Sequence, residues 1–394
     1  MILVEKHIIK QNHSFFKECD NLSFLSKNLY NQGLYNVRQH FFETKSYLNY
    51  NSNYHITKLQ NSYKQLPTKI SCQTLKMIDQ NFKSFFSLLK NKTIKNKIPS
   101  YLKKNGRYLV KFPKQALSIK EFKKSGKIKL SKTDIIINTK LKDFSKIKEV
   151  RIVPRNNFYV IEIVYEKEEK LIKNNGIIAS IDHGMNNLST ITFNNGLNPI
   201  IMNGKPLKSI NQYYNKKLAF LKSKLELKQK RKKSKKIINL TNKRNNKISD
   251  YLHKSSKKLV NQLVSNNVST LIIGKNIGMK QDINLGKKTN QNFVQIPLFK
   301  YLNMIEYKSK LEGIKVIFQE ESYTSKCSFL DHESIKKHKS YKGKRLKRGL
   351  FESEKGKLIN ADVNGSLNIM IKAIPNVFAD GIEGVGVHPF KLNI

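Results

Sequence analysis

Acidic residues are scarce in this chain: 28 Asp and Glu stand against 75 Lys and Arg in 394 residues, a formal net charge of +47. Self-repulsion on that scale disfavours a compact state unless a polyanion neutralises it. Long apolar runs are missing too. No stretch approaches the roughly 18 unbroken apolar residues of a spanning helix, which excludes a helical membrane protein. Cysteine is confined to Cys19, Cys72 and Cys327, an odd and irregular set that excludes a disulfide scaffold. The opening MILVEKHIIK has neither the apolar segment nor the small-residue cleavage site of a secretory signal. No period of 20–50 residues recurs, so a solenoid is excluded. Full disorder is excluded by what is present, since 39% of residues are hydrophobic and 10% aromatic, enough to build cores. The expectation is a soluble cytoplasmic protein whose partner is nucleic acid.

The positive charge is uneven. Residues 221–260 hold 15 Lys or Arg against Glu226 and Asp250 alone, and residues 335–350 (IKKHKSYKGKRLKRGL) hold eight basic residues and no acid. One such block reads as a solvated helix face; two in one basic chain favour nucleic acid.

Periodicity divides the chain. MILVEKHIIK alternates as a short strand. Residues 14–89 carry apolar groups at helical spacing, interrupted at Pro67, which predicts several helices. Tyr30, Tyr35, Phe41 and Phe42 lie in this run and read as core rather than as stacking platforms. From Pro99 the runs RYLVKFP, KIKLS, DIIINT, EVRIVP and NFYVIEIVYE predict a small β-barrel or sheet. EKEEKLIKNNG is a charged hinge. Then GIIASIDHG, STITFNNG and NPIIMNG read as meander strands, followed by a basic helical stretch over 205–266. VSTLIIGKN reads as a buried strand, IPLFKYLNMIEYKSKLEG as an amphipathic helix and IKVIFQEES as a last strand. The order β-β-β-α-β-α-β-α is the ribonuclease H pattern, an α/β sheet of mixed direction.

With acids so few, their positions matter. Phosphodiester hydrolysis without a covalent intermediate uses two divalent metals about 4 Å apart, held by carboxylates. Asp182 closes the apolar strand IIASID, where an unpaired carboxylate is costly unless it is exposed or binds a cation. Asp362 opens the helix of INADVNGSLNI, where it is an N-cap or a ligand. Glu320 and Glu321 end IKVIFQEE and point to opposite faces, so only one of them can look into a given site.

Around these acids the sequence resembles the TnpB family, transposon-encoded relatives of type V CRISPR effectors. IDHGMNNLST resembles the first RuvC motif, ESYTSKCS the TSxxC segment and INADVNGSLNIM the third RuvC motif. LIIGKNIGMKQ, NQNFVQIP and YKGKRLKRGLF resemble one branch of the family. The likeness is specific over residues 176–372 and softer before, where KIPSYLKKNGRYLVKFP carries it. It implies a C-terminal RNase H-like (RuvC) domain at 171–394, preceded by a wedge-like β-barrel at 1–12 and 95–170 that is interrupted by a helical recognition lobe at 13–94. The implied activity is RNA-guided DNA endonuclease, dependent on Mg²⁺ (or Mn²⁺ in its place). The implied partners are a guide and scaffold RNA and a double-stranded DNA target, bound by a monomer.

Two departures from the family pattern stand out. Most members carry the second acid on the strand matching TLIIGKN, where this chain has Gly274. Glu321 on the next strand is the substitute, giving Asp182, Glu321 and Asp362 as catalytic metal ligands, with Glu320 as the fallback. The competing reading of Gly274 is a nuclease-inactive, RNA-guided repressor; a third is an RNA-binding protein without a DNA target. The other departure is at 326–356, where the family places a four-cysteine zinc ribbon. Here Cys327 stands with only Asp331, His332 and His338 nearby, so a small basic loop without structural zinc is expected.

Overall fold

The structure, a computed structural model, describes residues 1–90, 97–229, 234–276, 295–379, 381–382 and 384–394. They form two units, Met1–Glu168 and Glu169–Ile394.

The first unit opens with strand β1 (Ile2–Ile9), in which more and less exposed side chains alternate. Helices α1 (Phe16–Thr44), α2 (Tyr50–Thr57), α3 (Asn61–Lys64) and α4 (Thr68–Lys90) follow. Their breaks have local causes. Lys45 ends α1 in the left-handed region, the Asn49 side chain caps α2 by accepting from Ser52 N at 3.0 Å, and Pro67 immediately precedes α4, a position where its missing N–H costs nothing. Then come β2 (Val110–Pro113), α5 (Ile119–Ser125), β3 (Lys127–Lys129), β4 (Ile136–Asn138), β5 (Ile147–Arg155) and β6 (Phe158–Glu166). An antiparallel sheet runs β1-β6-β5-β2. Phe112, Ile152 and Ile161 of this sheet share one core with Leu34, Ile78 and Phe82 of the helices.

Two expectations change here. Among the described residues the strands form an open sheet rather than a closed barrel. KIKLS and DIIINT shrink to three-residue strands that pair with each other, and only an isolated bridge, Leu117–Leu130, lies outside the named ladders. The aromatics of α1 also divide: Tyr30 is buried, whereas Tyr35 and Phe42 are exposed, because at five and twelve residues from Tyr30 they fall well away from its face of the helix.

The second unit begins with the meander β7 (Ile178–Asp182), β8 (Asn187–Phe193) and β9 (Ile200–Asn203). The basic stretch becomes two helices, α6 (Lys205–Gln229) and α7 (Lys235–Ser265), the second capped by Ser234. After β10 (Thr270–Gly274), α8 (Leu298–Leu311) and β11 (Lys315–Gln319) come the short strands β12 (Lys344–Lys347), β13 (Leu350–Glu352) and β14 (Leu358–Ile359). Helix α9 (Ala361–Ala373) and strand β15 (Phe390–Leu392) complete the unit. The main sheet runs β11-β10-β7-β8-β9-β15. Neighbours among β7, β8 and β9 are antiparallel, and β10 and β11 are parallel to β7. This is the ribonuclease H strand order. One face packs Ile181, Leu271 and Ile273 against Leu259, Tyr301 and Ile305 of α7 and α8; the other packs Ile272 against Ile369 and Met370 of α9. Burial on both faces explains why β10 reads as an unbroken apolar run. The end of LIIGKNIGMKQ (277–281) and most of NQNFVQIP (290–294) lie outside the described residues.

Candidate active site

The ladder between β7 and β10 pairs Ile181 with Ile273, so one residue further Asp182 and Gly274 stand at the same level on neighbouring strands. Gly274 in turn pairs with Gln319, the last residue of β11, and the chain turns from there through Glu320 and Glu321. A Cβ built on Gly274 collides with Glu321 Oε1, and would lie 2.7 Å from Ile369 Cδ1 and 2.9 Å from Glu321 Cγ. The space left by the missing side chain on one strand is filled by the carboxylate from the next. Asn276, two residues past Gly274, donates to Glu321 Oε2 at 3.0 Å. Glu320 faces elsewhere: it accepts from Lys372 Nζ at 2.7 Å and from the Ser322 hydroxyl at 2.6 Å.

Helix α9 brings the third acid. Its N-cap is Asn360, whose Oδ1 accepts from the Asp362 and Val363 amides at 3.0 and 3.3 Å. Asp362 is therefore not the cap, and its carboxylate turns outward to accept from Asn187 Nδ2 at 2.7 Å and from an Arg345 guanidinium nitrogen at 3.4 Å. The rest of INADVNGSLNIM fixes this helix in place. Gly365 lets it close on β7, since a Cβ there would sit 3.1 Å from Asp182 Oδ2. Ser366 joins Ser180 and Thr192 in a buried hydroxyl cluster across β7 and β8. Asn364 and Asn368 donate to the Cys327 carbonyl, and Asn368 also to that of Thr324. Thr324 Oγ1 donates to the Glu321 carbonyl at 2.9 Å. The TSxxC-like and third-motif segments thus interlock, which ties the position of Glu321 to that of Asp362.

The electrostatics set Asp182 and Glu321 apart from the ordinary carboxylates. Burial, then the charges of Glu321 and Asp362, hold the Asp182 carboxyl well above the usual carboxylate range; among nearby cations, Arg345 opposes this only as a lesser influence. Burial, and then Glu320, push Glu321 up to about 7. Glu320 shifts the other way, lowered first by Lys372 and then by Ser322. Burial lowers His183 to about 4, so the ring beside Asp182 is neutral at ordinary pH. Its Nδ1 sits 3.3 Å from the Leu188 carbonyl and 3.2 Å from Ser189 Oγ, while Nε2 has no partner. Among the described residues no three His, Cys, Asp or Glu side chains form a ready-made coordination shell; Asn187 and Arg345 engage Asp362, and Asn276 engages Glu321. The donor set is nevertheless one that suits a hard divalent cation: carboxylate oxygens only, with Asp182 and Glu321 desolvated and the charges of Glu321 and Asp362 both acting on Asp182.

Asp182, Glu321 and Asp362, chosen from sequence, come into one electrostatic field; Glu320 does not join them. Asn187, Asn276 and Arg345 were not singled out by sequence. The first two follow the acid and the glycine at short distance, a weak cue, and Arg345 is hidden in a basic run. Beside Asp362 a cavity of about 730 Å³ is lined by Lys205, Arg345, Lys347, Arg348 and Lys391. In the loop at 326–356, Cys327 Sγ lies against the Ser334 and Lys336 carbonyls, and His338 lies 2.7 Å from the Ser334 carbonyl. Asp331 accepts from the Ser328 hydroxyl and the Glu354 amide. His332 sits at the surface with a left-handed backbone.

Comparison with known proteins gives a consistent picture. A family model described as a probable transposase, OrfB_IS605, matches residues 159–280, and a Cas12f1-like TNB domain model matches residues 299–369. The chain is 28% identical to a CRISPR-associated endodeoxyribonuclease, Cas12f2, of a Micrarchaeota archaeon, over 55% of this chain and 41% of that protein. It therefore spans less than half the length of that relative. It is also 28% identical to a TnpB-like protein of Methanocaldococcus jannaschii, over 49% of this chain and 72% of the relative. A TnpB-like protein of Acidianus two-tailed virus is 23% identical over 90% of this chain and 82% of its own. Among solved structures, the protein of a Cas12f1–sgRNA–target DNA complex matches with a TM-score of 0.59 at 18% identity, covering 90% of this chain and 82% of that one, a likeness of fold. Both family models fall on the segments that carry the acids, and one TnpB-like relative reaches across nine-tenths of the sequence, so the chain is similar to the TnpB-like relatives of the type V effectors.

Proposed function

We propose that the protein is an RNA-guided DNA endonuclease of a transposable element, which cleaves guide-complementary DNA beside a short flanking motif by phosphodiester hydrolysis. The observation that carries this reading is the gathering of Asp182, Glu321 and Asp362, with Glu321 seated in the space that Gly274 leaves open. Asp182, Glu321 and Asp362 would hold a two-ion Mg²⁺ site (or Mn²⁺). Bound there, the ions would polarise the phosphodiester and activate water.

The chain's own residues supply the rest. Lys205, Lys347, Arg348 and Lys391 line a groove that takes the phosphates of the strand to be cut, and Arg345, which lines it too, donates to Asp362. Such contacts position a backbone and carry no sequence information. The neutral His183 adds no positive charge beside Asp182 to compete with an ion. The basic helices α6 and α7 offer phosphate contacts to a guide–target heteroduplex read by shape. We assign the wedge role to residues 1–12 and 95–170, the recognition-lobe role to 13–94 and the RuvC nuclease to 171–394, with the first two holding the scaffold RNA and reading the flanking motif. The working unit is a monomer with one RNA.

One second reading has specific support: Gly274 and the lack of a ready-made coordination shell fit a repressor that binds without cutting. The protein, purified with its co-transcribed RNA, should be given a matched plasmid library with randomised flanking bases, with and without Mg²⁺. Breaks that need Mg²⁺, persist in Glu320→Gln and vanish in Asp182→Asn and Glu321→Gln are expected. Tight binding without breaks overturns the nuclease in favour of the repressor.

A further inference from the structure

Between α6 and α7 lies a pocket of about 300 Å³ whose lining includes Tyr213, Tyr214, Leu240, Lys243, Arg244 and Lys247. Its floor is rigid. Arg244 donates from Nε to Asn211 Oδ1 at 2.8 Å, from one terminal nitrogen to Asn245 Oδ1 at 2.9 Å, and from the other to the Gln295 carbonyl at 2.7 Å. Asn211 is fully buried. The guanidinium lies 5.5 Å from the centroid of the Tyr214 ring, whose hydroxyl shares a hydrogen bond with Thr241 Oγ1 at 3.2 Å. Asn215 and Gln295 exchange amide hydrogen bonds at 3.1 and 2.9 Å beside it. Arg244 thus uses its donors to build the floor, and its position does not depend on a ligand.

The wall and rim are different. Tyr213 is 61% exposed and lines the pocket, unlike Phe220, the other exposed aromatic of α6. Lys243 and Lys247 are exposed one helical turn apart, hence on one side of α7. No acid lines the pocket. At the small end of the roughly 300–1,000 Å³ usual for ligand sites, it admits one flat group rather than a helix or a folded segment. A small slot lined by Tyr213, Tyr214, Ile210 and Leu240, rimmed by Lys243 and Lys247 and free of acids, complements a nucleobase joined to phosphates. A base in a duplex has no free face, so the occupant must be unstacked.

We propose that this pocket binds one unpaired nucleotide of a single strand, its base stacked on Tyr213 and its flanking phosphates on Lys243 and Lys247. The inference rests on the nucleic-acid partnership proposed above, but not on the catalytic site. RNA and DNA offer the same chemistry here, and the test separates them.

The full chain should be irradiated with single strands of RNA and of DNA carrying 5-iodouracil, and with a duplex of the same sequence. The expected crosslink falls on Tyr213 with a single strand and is lost with the duplex; the strand type that gives it names the source. Tyr213→Ala should weaken single-strand binding about tenfold, Tyr213→Phe should restore it, and neither should alter duplex binding. Lys243→Gln and Lys247→Gln should each reduce the slope of log affinity against log salt by about 0.7. Single-strand affinity unchanged in Tyr213→Ala, or crosslinks that map away from α6 and α7, overturn the pocket. If plasmid cleavage persists alongside that result, the proposed function survives it. A Tyr213 crosslink in a protein that does not cut supports the pocket and counts against the nuclease.

Discussion

The two main sheets treat their carboxylates in opposite ways. In the antiparallel sheet of the first unit the acids have partners. Glu5 accepts from Thr139 Oγ1 and lies 2.9 Å from His7, while Glu149 pairs with Arg151, Glu162 with Lys6 and Glu166 with Lys148. At the C-terminal ends of β7 and β11 in the ribonuclease H-like sheet, Asp182 and Glu321 are desolvated, and Asp182 is raised further by the charges of the other two acids. A chain with 75 basic residues has no shortage of cations to place there. Pairing is the default in this protein, so the exceptions are built. Glu320 and Glu321 repeat the contrast at adjacent positions: Lys372 takes one, and the fold buries the other.

If the cluster of Asp182, Glu321 and Asp362 is the catalytic centre, cleavage separates the two sheets most sharply. Asp182→Asn or Glu321→Gln should reduce plasmid cutting by about 10³-fold or more, roughly 4 kcal/mol of barrier. Glu149→Gln should leave it within a factor of about two. Equal losses from both sheets would mean that the contrast has nothing to do with chemistry.

Stability should respond in the opposite sense. Burial keeps Glu321 protonated in the folded chain up to about pH 7, against an ordinary value of 4.5. The folded state holds the extra proton between those values, so this residue's contribution to stability falls as pH rises through that window. Glu321→Gln removes the effect. With divalent ions chelated, the variant should therefore be more stable than the parent by about 3 kcal/mol at pH 8, with the difference vanishing near pH 4. Denaturant titration at several pH values checks this. A variant less stable at pH 8 would mean that Glu321 is satisfied without a cation.

The space shared by Gly274 and Glu321 gives the next effect. Gly274→Ala forces a Cβ into the Glu321 carboxylate and Ile369, and overpacking of this kind costs about 1–3 kcal/mol. Cutting should fall with it, because the carboxylate must move. Thermal melts and cleavage on the same preparation test both parts. Below that, Asn360→Ala should cost about 1 kcal/mol through loss of the α9 cap, measurable by denaturant titration.

These residues also show what could be read in advance. The strand order was legible because β10 is buried on both faces and β7 is an apolar strand ending in an acid, signals that survive any packing detail. The scarcity of acids only shortened the list of candidates; it was the family resemblance that put Glu321 with Asp182 and Asp362, and the structure places the charges of Glu321 and Asp362 on Asp182. The cap was not: Asn360 and Asp362 both suit a helix start, and the first-turn geometry decides between them. Arg345 was not legible either, since every residue of β12 is exposed and the pattern marks no face. The barrel failed as an expectation because KIKLS and DIIINT have β composition but too little length to extend the larger sheet.

The smallest effect carries the sign that completes the contrast. Arg151 and Glu149 lie two residues apart on β5, on the same face, with side chains 33% and 20% exposed. Their attraction acts in a partly solvated setting, where an ion pair contributes under about 1 kcal/mol. Glu149→Gln should accordingly destabilise the protein slightly, and the loss should shrink in high salt as screening weakens the pair in the parent. Removing a paired acid therefore costs a little, whereas removing a buried unpaired one stabilises the ion-free chain by several times as much. Denaturant titration of both variants at pH 8, in low and high salt, reads the two signs together. If Glu149→Gln and Glu321→Gln shift stability in the same direction, the two sheets do not differ in the way their geometry implies.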